Sequence, residues 1–276
     1  MPVVSIDGRI VSPEQATVSV FDRGFLYGDG LFETFRTWDG VAVDAAEHLA
    51  RLRHSAQALQ LKVGAIEIDA AIAAAGQGDH RVRVIVTRGE GALGARLGAL
   101  GPGRTIVIVE PLGALPGELA AVVVDLPLAR RREGHKTLAY LDSLIARELA
   151  AAAGADEALR LDAEGYVAEG STSNVFVVEG ERVVTPSVDG GALAGVTRGQ
   201  VIAWWPGVSE RRLTVDELRA ADEIFVTSAV RGVVAVTQLD GVARPAGPVT
   251  ARIADAHARK LRERAKQFAA QRHGRG

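Results

Sequence analysis

Lysine is scarce in this chain of 276 residues. Lys62 and Lys136 are the only two before Lys260 and Lys266 near the C-terminus, and arginine outnumbers lysine several-fold. Lys136 lies in Gly134-His135-Lys136-Thr137-Leu138, beside apolar neighbours. A lysine amine can lose its proton when desolvated and attack a carbonyl carbon, which a guanidinium cannot do. Lys136 is therefore a candidate nucleophile, although its isolation alone reads more readily as a surface lysine with its stem along apolar surface.

Glu169 stands in Ala168-Glu169-Gly170-Ser171-Thr172-Ser173-Asn174, just ahead of the apolar run Val175-Phe176-Val177-Val178. A carboxylate at such a strand end can keep a heterocyclic nitrogen protonated and make a pyridine ring an electron sink. The same residues also suit an ordinary turn. Gly195-Val196-Thr197-Arg198-Gly199 follows Ala192-Leu193-Ala194 and opens a helix. Free N–H groups at a helix N-terminus bind phosphate; the plainer reading is a loop-to-helix transition capped by Thr197. Arg51, in Glu47-His48-Leu49-Ala50-Arg51-Leu52, can offer a guanidinium fork to a phosphate. It can equally pair with Glu47 one turn back, and His48 beside a core leucine reads as structural.

The elements that must position these groups follow from periodicity and turn residues. Val3 to Ile6 and Arg9 to Val11 read as a hairpin about Asp7-Gly8, and Gly30 to Trp38 as a strand before a second turn at Asp39-Gly40 and Val41 to Val43. Leu49, Leu52, Ala56 and Leu59 recur at helical spacing, which predicts a helix over 45–59; a second covers 66–75, closed by Gly76. Strands are expected at 81–87 and 105–110, with a glycine-rich loop from Gly89 to Gly103 between them. Pro111, Gly113, Pro116 and Gly117 mark a boundary. Beyond it come a strand at 121–126, an alanine-rich helix at 138–153, strands at 157–162, 174–179 and 182–185, helices at 197–205 and 215–220, strands at 223–227 and 233–239, and a terminal helix at 250–268 before a frayed end.

Bulk properties exclude several classes. Absence of cysteine removes disulfides and thiolate chemistry. The 32 basic and 34 acidic residues balance, so nothing draws the chain to nucleic acid or an anionic membrane, and the run Arg130, Arg131, Arg132 reads as a solvated loop ending at Glu133. His48, His54, His80 and His135 show no ligand spacing, so no metal is expected. The N-terminus has no basic region ahead of an apolar core, and no apolar run is long enough to span a membrane, so a cytoplasmic protein is the default expectation.

Individually these signals are weak; together, with Lys136 33 residues before Glu169 and Glu169 26 before Gly195, the chain resembles the class IV, or fold type IV, pyridoxal-5′-phosphate (PLP) enzymes. That family includes branched-chain aminotransferases, D-amino-acid aminotransferases and 4-amino-4-deoxychorismate lyases. The resemblance runs from Asp22-Arg23-Gly24-Phe25-Leu26-Tyr27-Gly28-Asp29-Gly30-Leu31-Phe32-Glu33-Thr34 to the strand ending near Leu239. It implies an α+β fold: a small N-terminal α/β domain over 1–112, a linker over 113–120, and a larger PLP-binding pseudo-barrel domain over 121–276. It implies that Lys136 carries the cofactor as a Schiff base and shuttles protons, that Glu169 pairs with the pyridine nitrogen, and that Arg51, the N–H groups of Val196 and Thr197 and the Thr197 hydroxyl hold the phosphate. Leu193 matches the residue packed on the ring face. Tyr140 matches a tyrosine bonded to the phenolic oxygen, one residue nearer the lysine than in branched-chain aminotransferases. Ser228 and Ala229 match the loop that contacts phosphate or substrate carboxylate, and Ser173, Asn174 and Gly195 complete the cofactor set. The resemblance also implies a homodimer, each active site lying between the two domains of one subunit and closed by a loop of the other.

The reaction is less determined. Thr87-Arg88-Gly89-Glu90-Gly91-Ala92-Leu93-Gly94 and Lys136-Thr137-Leu138-Ala139-Tyr140-Leu141 resemble the lyase, Ala229 stands where aminotransferases usually have threonine, and no Arg-x-His carboxylate trap follows Arg88. The first expectation is thus cleavage of 4-amino-4-deoxychorismate to 4-aminobenzoate and pyruvate. The alternative is amino transfer between an amino acid or amine and a 2-oxo acid, and a remote one is a non-catalytic binding paralogue. Phe25, Tyr27, Glu33, Arg36, Arg88 and Arg231 are the candidate contacts to the small-molecule substrate.

Overall fold

The structure is a computed structural model that describes residues 2–94, 103–128 and 134–273. The basic run at Arg130, Arg131 and Arg132, the middle of the glycine-rich stretch and the last three residues lie outside it. The chain forms two units: Met1–Gly113 with Lys136–Tyr140 and Leu261–Gly276, and Ala114–His135 with Leu141–Lys260.

The first unit is built on an antiparallel sheet of order β2-β1-β5-β4-β3. Strands β1 (Val3–Ile6) and β2 (Arg9–Val11) meet through Asp7 and Gly8, both at positive φ, the turn geometry that matches strand twist. Helix α1 (Arg23–Tyr27) precedes β3 (Gly30–Arg36). The turn at Asp39-Gly40 forms, but only Trp38 and Val41 pair across it, so 41–43 is not a strand. Helix α2 (Ala45–Ala58) buries Leu49, Leu52 and Ala56 and packs on β3. Helix α3 (Asp69–Ala75), β4 (His80–Thr87) and β5 (Thr105–Pro111) complete the unit.

Lys136–Tyr140 lies in this unit, paired beside β3: Phe32 N–H donates to the Lys136 carbonyl and Leu138 N–H to the Gly30 carbonyl, each at 3.0 Å. This corrects the expected helix start at Leu138. Peptide groups engaged with a strand cannot enter the helical ladder, so α4 (Leu141–Ala152) begins three residues later.

The second unit is a mixed sheet of order β11-β10-β9-β12-β13-β6-β7-β8, with β14 on β13. Its strands are β6 (Glu118–Val124), β7 (Glu157–Leu161), β8 (Val167–Gly170), β9 (Asn174–Glu179), β10 (Arg182–Pro186), β11 (Val208–Arg211), β12 (Glu223–Ser228), β13 (Gly232–Leu239) and β14 (Val242–Ala243). The helices α5 (Val196–Trp204) and α6 (Val215–Ala220) belong to this unit, and α7 (Pro248–His273) does so as far as Lys260. Strand β9 is apolar without alternation because both its faces are covered. Val175 and Val177 join a core with Leu159, Leu213, Leu218 and Ile224, while Phe176 and Val178 face Val201, Phe225 and Ile253. Phe176 stacks on Phe225 at 4.7 Å. Strands β8, β11 and β14 and helix α1 were not expected, each being too short to show a period. Among the described residues no helix is long and apolar enough to cross a membrane, and no cluster of three or more His, Asp or Glu could hold a metal ion.

Candidate active site

In the first unit the Lys136 ammonium nitrogen lies 4.6 Å from the centre of the Phe32 ring. The Arg83 guanidinium lies 4.1 Å from the same ring, and Tyr140 meets it edge-on at 5.3 Å. Gly28 makes room for this segment: at φ +65, a Cβ there would come within 3.0 Å of the Ala139 nitrogen. Burial lowers the Arg83 guanidinium from its ordinary value, with Tyr140 acting the other way. Arg83 was missed in the sequence, where a signal existed. Val82, Val84 and Val86 alternate into the core, which turns Arg83 to the opposite face of β4, and its register partner Thr34 shares a face of β3 with Phe32.

Glu33, expected at the substrate, is buried and engaged inside the fold. Arg51 donates to it twice, Nε at 2.8 Å and Nη2 at 2.6 Å, and His48 Nδ1 at 2.7 Å. Burial alone would raise the Glu33 carboxyl, but the hydrogen bonds and charge of His48 and Arg51 outweigh it and lower it to about 2. An ionised Glu33 requires the proton on His48 Nδ1, and the buried Nε2 has no partner among the described residues. Glu47, the alternative partner for Arg51, accepts from Arg264 at 2.6 Å.

Two further expected substrate contacts are also committed elsewhere. Arg36 pairs with Asp79 and stacks on Trp38 at 4.0 Å. Arg88 is buried, its Nε on Asp29 at 2.9 Å and its remaining nitrogens on the Leu59 and Gln60 carbonyls. Asp29 also accepts from Arg23, while Asp22 caps α1 at Gly24 and accepts from the Thr87 hydroxyl. The Asp22–Gly30 motif is thus a turn braced by two aspartates, and it leaves Phe25 and Tyr27 exposed.

In the second unit Glu169 is the penultimate residue of β8 and Asn174 begins β9. The Glu169 carboxylate accepts Leu193 N–H at 2.8 Å and the Asn174 amide donates to the Leu193 carbonyl at 2.8 Å. Both polar groups of one peptide residue are gripped, which fixes the chain as it enters Gly195 and α5. Gly195 is the N-cap of α5 and offers no side-chain cap, so its first N–H groups are not satisfied by a capping side chain. A Cβ at Gly195 would overlap Asn174 Oδ1. Thr197, on the first turn, is buried. An uncapped helix start next to a buried hydroxyl suits a phosphate, and a carboxylate on the same short stretch suits a protonated ring nitrogen, so these residues fit PLP.

Ser173, also in the expected cofactor set, donates its hydroxyl to Glu157 at 3.0 Å. Arg231 Nη1 reaches the same carboxylate at 3.4 Å, and Ser228 Oγ accepts the Arg231 N–H. Glu157 was not singled out in the sequence, where nothing distinguishes it from a surface glutamate. The second unit therefore brings Glu169, Asn174, Leu193 and Gly195 together, and the first brings Lys136 and Tyr140 together around Phe32.

A family model described as amino-transferase class IV matches residues 30–239. The chain is 31% identical over 285 residues to the branched-chain-amino-acid aminotransferase of Pseudomonas aeruginosa, covering 92% of this chain and 91% of that protein. It is 30% identical over 259 residues to the aminodeoxychorismate lyase of Bacillus subtilis, 87% of each. The crystal structure of a branched-chain aminotransferase from Thermoproteus uzoniensis with norvaline superposes at a TM-score of 0.86, with 29% identity over 96% of both chains.

Proposed function

The chain belongs to the class IV aminotransferases, PLP-dependent enzymes of fold type IV, and from that premise we propose that it moves an amino group between a branched-chain or similarly apolar amino acid and a 2-oxo acid. The observation that carries this reading is the placement of the Lys136 amine and the Arg83 guanidinium on one Phe32 ring, with Tyr140 beside them. An amine that exchanges protons, a cation for an α-carboxylate and an aromatic wall for an aliphatic side chain are what such a substrate needs.

When bound, PLP supplies an electron sink that acidifies the substrate proton beside the amine. Lys136 removes and returns that proton. Glu169 keeps the ring nitrogen protonated, and its bond to Leu193 holds the carboxylate in line. Each unit would offer phosphate ligands of its own: Arg51, oriented by Glu33, in the first, and the N–H groups of Val196 and Thr197 and the Thr197 hydroxyl in the second. The working form in this reading is a cytoplasmic homodimer, supported by exposed apolar side chains that association would cover: Phe21, Phe25 and Tyr27 in the first unit, and Leu141, Leu144 and Leu149 on α4 in the second.

The lyase, the first expectation from sequence, is the weaker reading, because the branched-chain enzyme matches a longer span at slightly higher identity than the lyase does. It stays a second reading on that 30% identity and on the lyase-like stretches at Thr87–Gly94 and Lys136–Leu141. One assay separates them. Purified holoprotein with L-leucine and 2-oxoglutarate is expected to form glutamate, and with aminodeoxychorismate to form nothing. Release of 4-aminobenzoate without any 2-oxo acid overturns the aminotransferase reading.

A further inference from the structure

Glu157 opens β7 and its side chain is wholly buried, yet the chemistry above makes no use of it. Donors converge on its carboxylate from one short turn. Ser171 contributes its hydroxyl and its N–H at 2.9 Å, the latter shared with the Ala158 carbonyl at 2.8 Å, Thr172 its hydroxyl at 3.0 Å and Ser173 its hydroxyl at 3.0 Å. Arg231 adds a longer contact at 3.4 Å. The turn closes tightly: a Cβ at Gly170 would overlap Ser173 Oγ and approach the Glu157 carboxyl carbon at 3.2 Å.

The residues on either side of this turn are Glu169 and Asn174, the pair that grips Leu193. The distance between them is set by how the Gly170–Ser173 turn folds; the Gly170 N–H on the Ser173 carbonyl at 2.7 Å closes that turn, and Glu157 gathers its side chains. A buried carboxylate must be hydrogen-bonded or it costs several kilocalories, so the hydroxyls have one orientation open to them and the turn one shape.

We infer that Glu157 is a positioning residue: by bracing the Gly170–Ser173 turn it sets the geometry of the Glu169–Leu193–Asn174 clamp, and through it the affinity for PLP. This rests on the assignment of Glu169 and the start of α5 to the cofactor.

The test uses the full chain freed of PLP, with Glu157→Ala and Glu157→Gln. Amide hydrogen exchange needs no loaded enzyme. Glu157→Ala is expected to speed exchange at Leu193 about tenfold or more and to weaken PLP binding about tenfold, with the amides of β12 unchanged. Glu157→Gln keeps an acceptor for the Ser171 N–H and is expected to fall between wild type and Glu157→Ala in both readouts. Unchanged Leu193 exchange and unchanged PLP affinity in both variants overturn the proposal. So does exchange that rises throughout β12 in both variants, since Glu157 then supports the fold at large. Glu169→Ala separates this from the underlying assignment: if it leaves PLP affinity unaltered while Leu193 exchange still responds to Glu157, the cofactor assignment is at fault and the brace stands.

Discussion

Arg51 and Glu33 are locked together by two hydrogen bonds, 2.8 and 2.6 Å long, between a helix and a strand separated by 18 residues. The carboxylate is almost fully buried, so the pair cannot trade its bonds for water. Glu33→Gln leaves the Arg51 charge without its counter-ion and is expected to lower stability by about 3 kcal/mol in urea denaturation near neutral pH. If Glu33 instead touched substrate, the variant would raise the KM for amino donor with stability unchanged.

Acid sensitivity follows from the same carboxyl. Its folded value, about 2, lies below its ordinary 4.5, so its contribution is fully present above about 4.5 and is lost as pH falls toward about 2. Unfolding free energy of the wild type is expected to drop across that window on the order of 3 kcal/mol more than that of Glu33→Gln. Parallel pH profiles for the two proteins would contradict this.

His257 defines a higher pH window. Burial pushes its imidazole down to about 4 from 6.5, while Nε2 lies 2.9 Å from Gln200 Oε1. The unfolded chain takes up the proton below about 6.5 and the folded chain does so only near 4, so stability falls as pH drops between those values. His257→Leu is expected to be less stable at pH 7, through loss of the Gln200 bond, but to lose less stability between pH 6.5 and 4. Equal slopes in thermal melts across that range would count against it.

Arg83 tests the substrate side. Arg83→Gln is expected to raise the KM for both the amino acid and the 2-oxo acid about tenfold or more, with the visible absorbance of bound PLP unchanged. A changed spectrum with unaltered KM would place Arg83 at the cofactor instead.

Gly195→Ala tests the cradle. The added methyl overlaps Asn174 Oδ1, so the Asn174–Leu193 bond must give way. PLP affinity is expected to fall about tenfold while α5 retains its helicity, since Gly195 is the N-cap and lies outside the helical residues Val196–Trp204. Equilibrium titration of the apoprotein measures it, and wild-type affinity would show that the cradle tolerates a side chain.

Much of the framework was legible in order of residues. The Asp7-Gly8 turn read as a tight hairpin, the run through Val175–Val178 as a strand, and Leu49, Leu52 and Ala56 as one helix facing a core, and all three form. Gly195 was readable as a helix start because glycine and the apolar period after it are local signals. These features depend on neighbours within a few residues, so the sequence by itself determined them, together with the family to which Lys136, Glu169 and Gly195 point.

Which charge meets which was decided only by tertiary structure. Glu33 meets Arg51, Arg36 meets Asp79, Arg88 meets Asp29, and Ser173 meets Glu157. Charged side chains carry no period that names a partner; strand register and helix packing bring them together across long stretches of chain. The same holds for the segment after Lys136, whose composition favours a helix but whose peptide groups β3 had already claimed. Hydrogen bonds offered by a neighbouring strand outweigh a propensity of a few tenths of a kilocalorie per residue, and that contest is settled only once the strand is in place.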